Sequence, residues 1–322
     1  MALPAETAFR SLLPLFLAAS AHAQPSGLFD YDHSVPFRYQ EEMIERDAGI
    51  DVAGAGFQSP KGGKVNMIVV RPRGKGPYAG IVWQHGGDQS MLTYLSEARV
   101  LARAGAVSLI LDAPGAVSGR KPANEMSGAE LRDYNAEIVI CERRAVDYLE
   151  TLENVDPARI AFAGHSYGAI TGGVLVGIEK RFKTFILLGG VARYTRHVSE
   201  APVDYWIDWR KRMTPEQLAA ALRELRPVDP DNYVGVQAHG PIFVQCGSFD
   251  FINKEGCGGL YRAASSPKEI RWYNTDHSFA DIEAAFDRME WLQRELSLKP
   301  VLPLLDRLWK NPRKRSAALD VK

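Results

Sequence analysis

Asp156-Pro-Ala-Arg-Ile-Ala-Phe-Ala-Gly-His-Ser-Tyr-Gly168 is the stretch on which the reading of this chain turns. Asp156-Pro157 supplies a turn, Ile160 to Ala163 is a short strand-like run, and Ala169 to Ile178 is small and apolar with glycines at 172, 173 and 177. Between them, Gly164-His-Ser-Tyr-Gly168 has the G-x-S-x-G form needed where a strand turns sharply into a helix. Side chains at the flanking positions would collide with neighbouring backbone, and glycine removes that collision. Such a turn is a nucleophile elbow, holding Ser166 strained above a sheet with the Tyr167 N–H aimed where an oxyanion would form. A glycine-flanked serine in an ordinary turn is the alternative, and the strand before and helix after weigh against it.

Outward from the elbow, the chain alternates strand and helix. Short apolar runs at Ala79 to Trp83, Ala106 to Leu111, Arg159 to Ala163 and Thr184 to Leu188 read as strands buried on both faces, and Ile242 to Gln245 and Glu269 to Tyr273 follow. Lys64 to Val70 pairs in a hairpin with Phe57-Gln-Ser59 across Lys61-Gly-Gly63. One stripe, Leu131, Tyr134, Ile138, Cys141, Ala145, Leu149 and Leu152, has helical spacing; another, Ile282, Phe286, Met289 and Leu296, marks a late amphipathic helix. The expected fold class is α/β, a mostly parallel sheet with helices on both faces. Between Gly190 and Pro241 the rhythm breaks, and Thr214-Pro-Glu-Gln217 combines an N-cap, a first-turn proline and a capping-box glutamine. This segment, about residues 191–240, reads as a helical cap. Trp206 and Trp209 either pack the cap onto the body or touch substrate.

A serine hydroxyl needs a base to take its proton, and the base needs an orienting acid. In this topology both follow the serine, acid first, each on a loop beyond a strand end. Asp250 meets the acid requirement after Ile242-Phe-Val-Gln245. Asp112 precedes Ser166, and Asp276 adjoins the histidine it would have to face. His277, in Asn274-Thr-Asp-His-Ser-Phe279, lies after a strand and downstream of Asp250; His197, in the cap, and His239 read as surface residues. For the oxyanion, Tyr167 offers one backbone N–H. The loop Trp83-Gln-His-Gly-Gly-Asp88 offers a second from Gly87 or a neighbour, with His85 shaping the loop.

With Ile81-Val-Trp-Gln-His-Gly-Gly87, Leu109-Ile-Leu-Asp-Ala-Pro-Gly115, Cys246-Gly-Ser-Phe-Asp250 and Asp276-His-Ser-Phe279, these phrases resemble the α/β-hydrolase superfamily over about residues 50 to 297. They resemble most its dienelactone hydrolase and acyl-peptidase-like esterase branch. The resemblance implies an α/β-hydrolase fold and a triad of Ser166, Asp250 and His277. Dienelactone hydrolases proper carry cysteine at the elbow where this chain has Ser166, so their substrate is not carried over. The stretch before residue 50 is too short for the N-terminal propeller of the acyl-peptidase relatives, so their gating of peptides is not expected.

The 322 residues are 46% hydrophobic and 24% charged, a composition that supports a large core. Thirty-nine basic and 39 acidic residues cancel, which leaves no long-range field for nucleic acid or an anionic membrane. Residues 1–23 resemble an export signal: Arg10 precedes an apolar run ending at Ala19 and too short to span a bilayer, then Ala21-His-Ala23 has a cleavage-site form. Glu6 and the lone basic residue make that signal poor, and without it a cytoplasmic location is expected. Residues 24–298 form the hydrolase domain, and 299–322 a basic, proline-containing, solvated tail. Cys141 reads as a buried helix thiol, pairing of Cys246 with Cys257 stays open, and the cysteine spacings match no zinc pattern. Neither metal nor other cofactor is expected. The expected reaction is cleavage of a small-molecule carboxylic ester or lactone, the alternatives being an exopeptidase or amidase, or a non-catalytic binding protein of the same fold.

Overall fold

The computed structural model describes residues 27–309 except Ala48, Asp88, 113–120, Gln237 and Asn253. The segment read as an export signal and the tail beyond residue 309 lie outside the described residues. Nine strands form one sheet: β1 (Gln40–Asp47), β2 (Ile50–Gln58), β3 (Lys64–Pro72), β4 (Tyr78–Gln84), β5 (Ala106–Leu111), β6 (Val155–His165), β7 (Phe182–Leu188), β8 (Ile242–Gly247) and β9 (Lys268–Tyr273). Their spatial order is β1-β2-β3-β5-β4-β6-β7-β8-β9. The pairs β1/β2, β2/β3 and β3/β5 are antiparallel, and every pair from β5/β4 to β8/β9 is parallel. Helices α1 (Leu95–Ala104), α2 (Gly128–Glu150), α3 (Tyr167–Ile178), α4 (Tyr194–Glu200), α5 (Asp204–Lys211), α6 (Pro215–Leu225), α7 (Lys254–Ala263), α8 (Ile282–Glu295) and α9 (Leu302–Trp309) follow in chain order.

The near-continuous apolar runs have a simple cause, because alternate side chains of a strand face opposite layers and both layers are covered. Val82, Leu109, Phe162, Phe185 and Val244 pack under Leu131, Leu149, Val174 and Leu260 of α2, α3 and α7. Ile81, Trp83, Ile110, Ile186 and Phe243 pack under Leu101, Met289 and Leu292 of α1 and α8. A fully buried aliphatic side chain of this kind contributes roughly 2 kcal/mol. The hairpin expected at Lys64 is present, with Phe57 opposite Val65 in the β2/β3 register.

The cap is α4 to α6. Its third helix starts on the reciprocal box read from the sequence: Gln217 N–H donates to Thr214 Oγ1 (3.3 Å) and Thr214 N–H to Gln217 Oε1 (2.9 Å). The cap is fastened to the body by the buried Trp209, whose Nε1–H donates to the Met126 carbonyl at 2.8 Å. Helices α2 and α6 meet at Gly128, where a Cβ would lie 2.3 Å from the Ala221 oxygen.

Two expectations need correction, and one strand carries no sequence signal. β1 carries Glu41, Glu42, Glu45 and Arg46 and buries little, so the sequence lacks the apolar alternation that marks a strand, yet its backbone pairs along β2. The tail is not solvated from residue 299: Lys299 N–H donates to Ala104 O (3.0 Å), Val301 is fully buried, and α9 follows. The apolar side of that short helix supplies what the prolines conceal, with Leu304 and Leu305 packed on the α1/α8 layer. Ile282, expected on the buried stripe of the late helix, is exposed at its first turn.

Cys246 and Cys257 are joined by a disulfide that ties the end of β8 to α7 across 11 positions, while the Cys141 thiol is buried and donates to Ser59 Oγ at 3.6 Å. Closing a loop of this length in the unfolded chain is worth about 3 kcal/mol. Denaturant unfolding with and without a reductant is expected to differ by about that amount, and a Cys246→Ala, Cys257→Ala double variant should match the reduced protein.

Candidate active site

β6 runs into α3 with one residue between them, and that residue is Ser166. Its φ of 52° and ψ of −108° lie where a residue with a Cβ is strained, at roughly 1–3 kcal/mol. Hydrogen bonds hold it there: Ser166 N–H donates to Leu188 O (2.7 Å), and Ser166 O accepts from Ala169 and Ile170 N–H (both 3.0 Å). The flanking glycines are required by close approach. A Cβ on Gly164 would sit 2.2 Å from the Gly168 oxygen, and one on Gly168 would sit 2.3 Å from the Gln84 oxygen on β4.

Two loops bring partners to the hydroxyl. The loop after β8 and the loop after β9 are laced together by Ser248 N–H to Tyr273 O (2.8 Å) and Phe249 N–H to Thr275 O (3.1 Å). His277 Nε2 then lies 2.7 Å from Ser166 Oγ, and His277 Nδ1 lies 2.8 Å from Asp250 Oδ1. The Asp250 carboxylate is fully buried, and Ile252 N–H donates to the same Oδ1 at 2.7 Å. Gly189, with φ +53°, makes room, since a Cβ there would be 3.1 Å from Asp250 Oδ2. Asp276 faces away from this chain, accepting instead from Ser278 N–H and Oγ–H in its own turn.

Two backbone N–H groups stand near the hydroxyl. Tyr167 is the first residue of α3, so its N–H lacks an intrahelical acceptor and stands at the positive end of the helix dipole. In the facing loop, Gly86 N–H is already committed to Gln89 Oε1 (3.1 Å). Gly87 borders the same cavity as Ser166, and its N–H carries no hydrogen bond among the described residues. That cavity has a volume of about 690 Å³, and Tyr134, Tyr194, Tyr205, Trp206 and Phe251 line it together with Ser166 and His277. Trp206 thus faces the cavity, whereas its neighbour Trp209 fastens the cap.

The prolyl oligopeptidase family pattern matches residues 94–252. No curated protein matches the chain in sequence. Among solved structures, an acetyl xylan esterase from Paenibacillus sp. R4 superposes with a TM-score of 0.68 at 19% identity, covering 80% of this chain and 89% of that one. Acetyl xylan esterase 1 from Thermoanaerobacterium sp. JW/SL YS485 gives 0.68 at 14% identity, covering 83% of this chain and 91% of that one. Dipeptidyl peptidase 4 from Porphyromonas gingivalis gives 0.60 at 19% identity, covering 76% of this chain and 35% of that one. The chain has the α/β-hydrolase fold. Over residues 94–252 it is similar to the prolyl oligopeptidase family, and in fold it is similar to esterases and to a peptidase.

Three residues of this site escape a sequence reading. His197, expected at the surface, lines the cavity, and burial together with the nearby charge on His277 lowers its pKa to about 4. His165, the variable residue of the elbow motif, is buried with its ring 4.8 Å from that of His277. Its Nδ1 lies 2.8 Å from Gln89 Oε1, and because Gly86 N–H fixes that oxygen as an acceptor, Nδ1 carries the proton. Gln89, just beyond the glycine pair, therefore ties the Gly86 loop to the elbow. The only signal for it was its nearness to that pair. His85 does shape its loop, with Nδ1 2.6 Å from Gly86 O and Nε2 3.1 Å from Asp112 Oδ1.

Burial, and secondarily the charge on His277, lowers the His165 pKa to about 3. In the unfolded chain the ring takes a proton near pH 6.5, so the unfolded state binds more protons below that pH and stability is lost as pH falls from about 6.5 toward 3. His165→Asn keeps an N–H for Gln89 but does not titrate. Unfolding free energy measured from pH 7 to pH 4 should fall less steeply in that variant than in the parent.

Proposed function

We propose that the protein hydrolyses a carboxylic ester or lactone of a small molecule through an acyl-enzyme on Ser166. The observation that carries the reading is the continuous hydrogen-bonded chain from Asp250 through His277 to Ser166, at 2.8 and 2.7 Å. Ser166 Oγ attacks the carbonyl carbon as His277 Nε2 takes its proton. Asp250 holds the imidazole in the tautomer that leaves Nε2 free and stabilises the imidazolium once formed. The oxyanion is met by the N–H groups of Tyr167 and Gly87, fixed before reaction. His277 gives its proton to the departing alcohol, water repeats the attack on the acyl-serine, and the acid leaves. The chemistry requires no metal or organic cofactor.

Two features favour esters. The esterase neighbours are matched over 89% and 91% of their own length, the dipeptidyl peptidase over 35% of its own. Much of the cavity wall is aromatic and aliphatic, with Tyr134, Tyr205, Trp206, Val203 and Ile170, a surface suited to an acyl chain. A peptide or amide substrate is the second reading, supported by the match to the prolyl oligopeptidase family. The partner in either case is a small molecule, and the disulfide suits an exported protein in an oxidising compartment.

Matched ester and anilide substrates with the same acyl group separate the readings. The ester is expected to be turned over faster, with Ser166→Ala losing about a thousandfold or more of kcat and Asp250→Asn on the order of 10²–10⁴-fold. Anilide turnover equal to or above ester turnover overturns the ester reading. Ester turnover undiminished in Ser166→Ala removes Ser166 from the mechanism.

A further inference from the structure

His197 and Phe251 border two cavities at once. One is the chamber that contains Ser166; the other, of about 610 Å³, lies between α4 and α7. Arg193, Arg196 and Arg262 stand along this second cavity, and Gly256 and Gly259 of α7 line it without side chains. Each arginine is matched by a carboxylate: Arg193 with Asp231 (2.8 Å), Arg196 with Glu200 (2.8 Å) and Arg262 with Glu255 (3.0 Å). All three acids border the same cavity, so it offers donors and acceptors in balance rather than a net charge. Such a surface rewards groups that both give and take hydrogen bonds, and it does not repay desolvation of a lone ion.

The shared wall stands on a particular side of the reaction. The Phe251 ring lies 4.2 Å from the His277 ring, and the His197 ring lies 6.2 Å from that of Phe251. An ester's alcohol oxygen must come within hydrogen-bond reach of His277 Nε2 to receive its proton. The alcohol half of the substrate therefore extends toward His277, while the acyl half is left to the Tyr205 and Trp206 side. Beyond the wall in the alcohol's direction lies the second cavity. The His197 imidazole carries no hydrogen bond among the described residues, and a neutral imidazole at that threshold both donates and accepts.

We propose that the cleft between α4 and α7 is a subsite for the alcohol half of the ester, taking a polar, uncharged, hydroxyl-bearing group that passes His197 and Phe251. The proposal rests on the ester reading of the site. It makes the enzyme selective for what leaves as well as for what is transferred to Ser166.

The test compares kcat/KM for ethyl acetate, hexyl acetate and sorbitol monoacetate in the parent and in Gly259→Trp. A Cβ on Gly259 meets only Arg262 Nη2, at 3.8 Å, so the indole enters open space, and replacing a helical glycine does not cost helix stability. The parent is expected to prefer sorbitol monoacetate over hexyl acetate by about tenfold, and Gly259→Trp to lower the sorbitol-to-ethyl ratio by about tenfold. Arg262→Met, on an exposed pair, should lower the same ratio in the same direction. A ratio unmoved by both variants, or a parent that prefers hexyl acetate, overturns the subsite while leaving Ser166-dependent ethyl acetate turnover intact. Absence of Ser166-dependent turnover of every ester overturns the ester reading and the subsite with it.

Discussion

At Ser166 the backbone passes from strand to helix within one residue, and two glycines let it do so against its neighbours. A single methyl on Gly164 of β6 would strike the Gly168 oxygen at 2.2 Å, and one on Gly168 of α3 would strike the Gln84 oxygen of β4 at 2.3 Å. The strain at Ser166 is held by bonds from β7 and from the first turn of α3. Because of that turn the hydroxyl stands above the C-terminal ends of parallel strands, where the loops after β8 and β9 can reach it. The N–H of Tyr167 is left unbonded by the same geometry, since a helix that starts there cannot satisfy its own first donors. The placement of the Ser166 hydroxyl and the unbonded Tyr167 N–H thus have one cause.

The support around the turn is redundant in a physical sense. Gln89 accepts from the Gly86 loop and from His165 with one oxygen, so the loop that carries Gly87 is tied to the elbow itself. The loops that carry Asp250 and His277 are bound to each other by two backbone hydrogen bonds, and the disulfide ties the β8 end from which the Asp250 loop departs to α7. Each catalytic candidate is thereby held through its neighbours rather than by its own flexibility, which is what preorganised chemistry requires. The cap then closes the space, with Trp209 fastened to Met126 and Trp206 left to face the cavity.

Much of this was legible in the sequence because the constraints are local. The glycine pair around Ser166, the apolar runs of the central strands and the Thr214 capping box each leave a pattern within a few residues. Asp250 and His277 were found by chain order and by their position after strand ends. What the sequence did not disclose depends on contacts between distant residues. Strand β1 is held by backbone pairing with β2 and not by a buried face, so its charged side chains gave no periodic signal. Residues 299–305 read as solvated because Pro300 and Pro303 interrupt them and basic residues follow, although Val301 is buried and Leu304 packs on the layer that includes α1. His197 sits on a short helix whose orientation only the folded cap determines, and no feature of its sequence neighbours says that it faces the cavity. The role of Gln89 is likewise invisible until His165 is seen beside it.

The most direct test of the account is to trap the covalent intermediate. During turnover of 4-nitrophenyl acetate the reaction is quenched in acid, the protein is digested, and the peptides are weighed by mass spectrometry. The peptide that contains Ser166 should carry one acetyl group, with fragment ions assigning it to that serine. An enzyme that turns over the ester with Ser166 unmodified, and with acetyl found on another residue, would contradict the account.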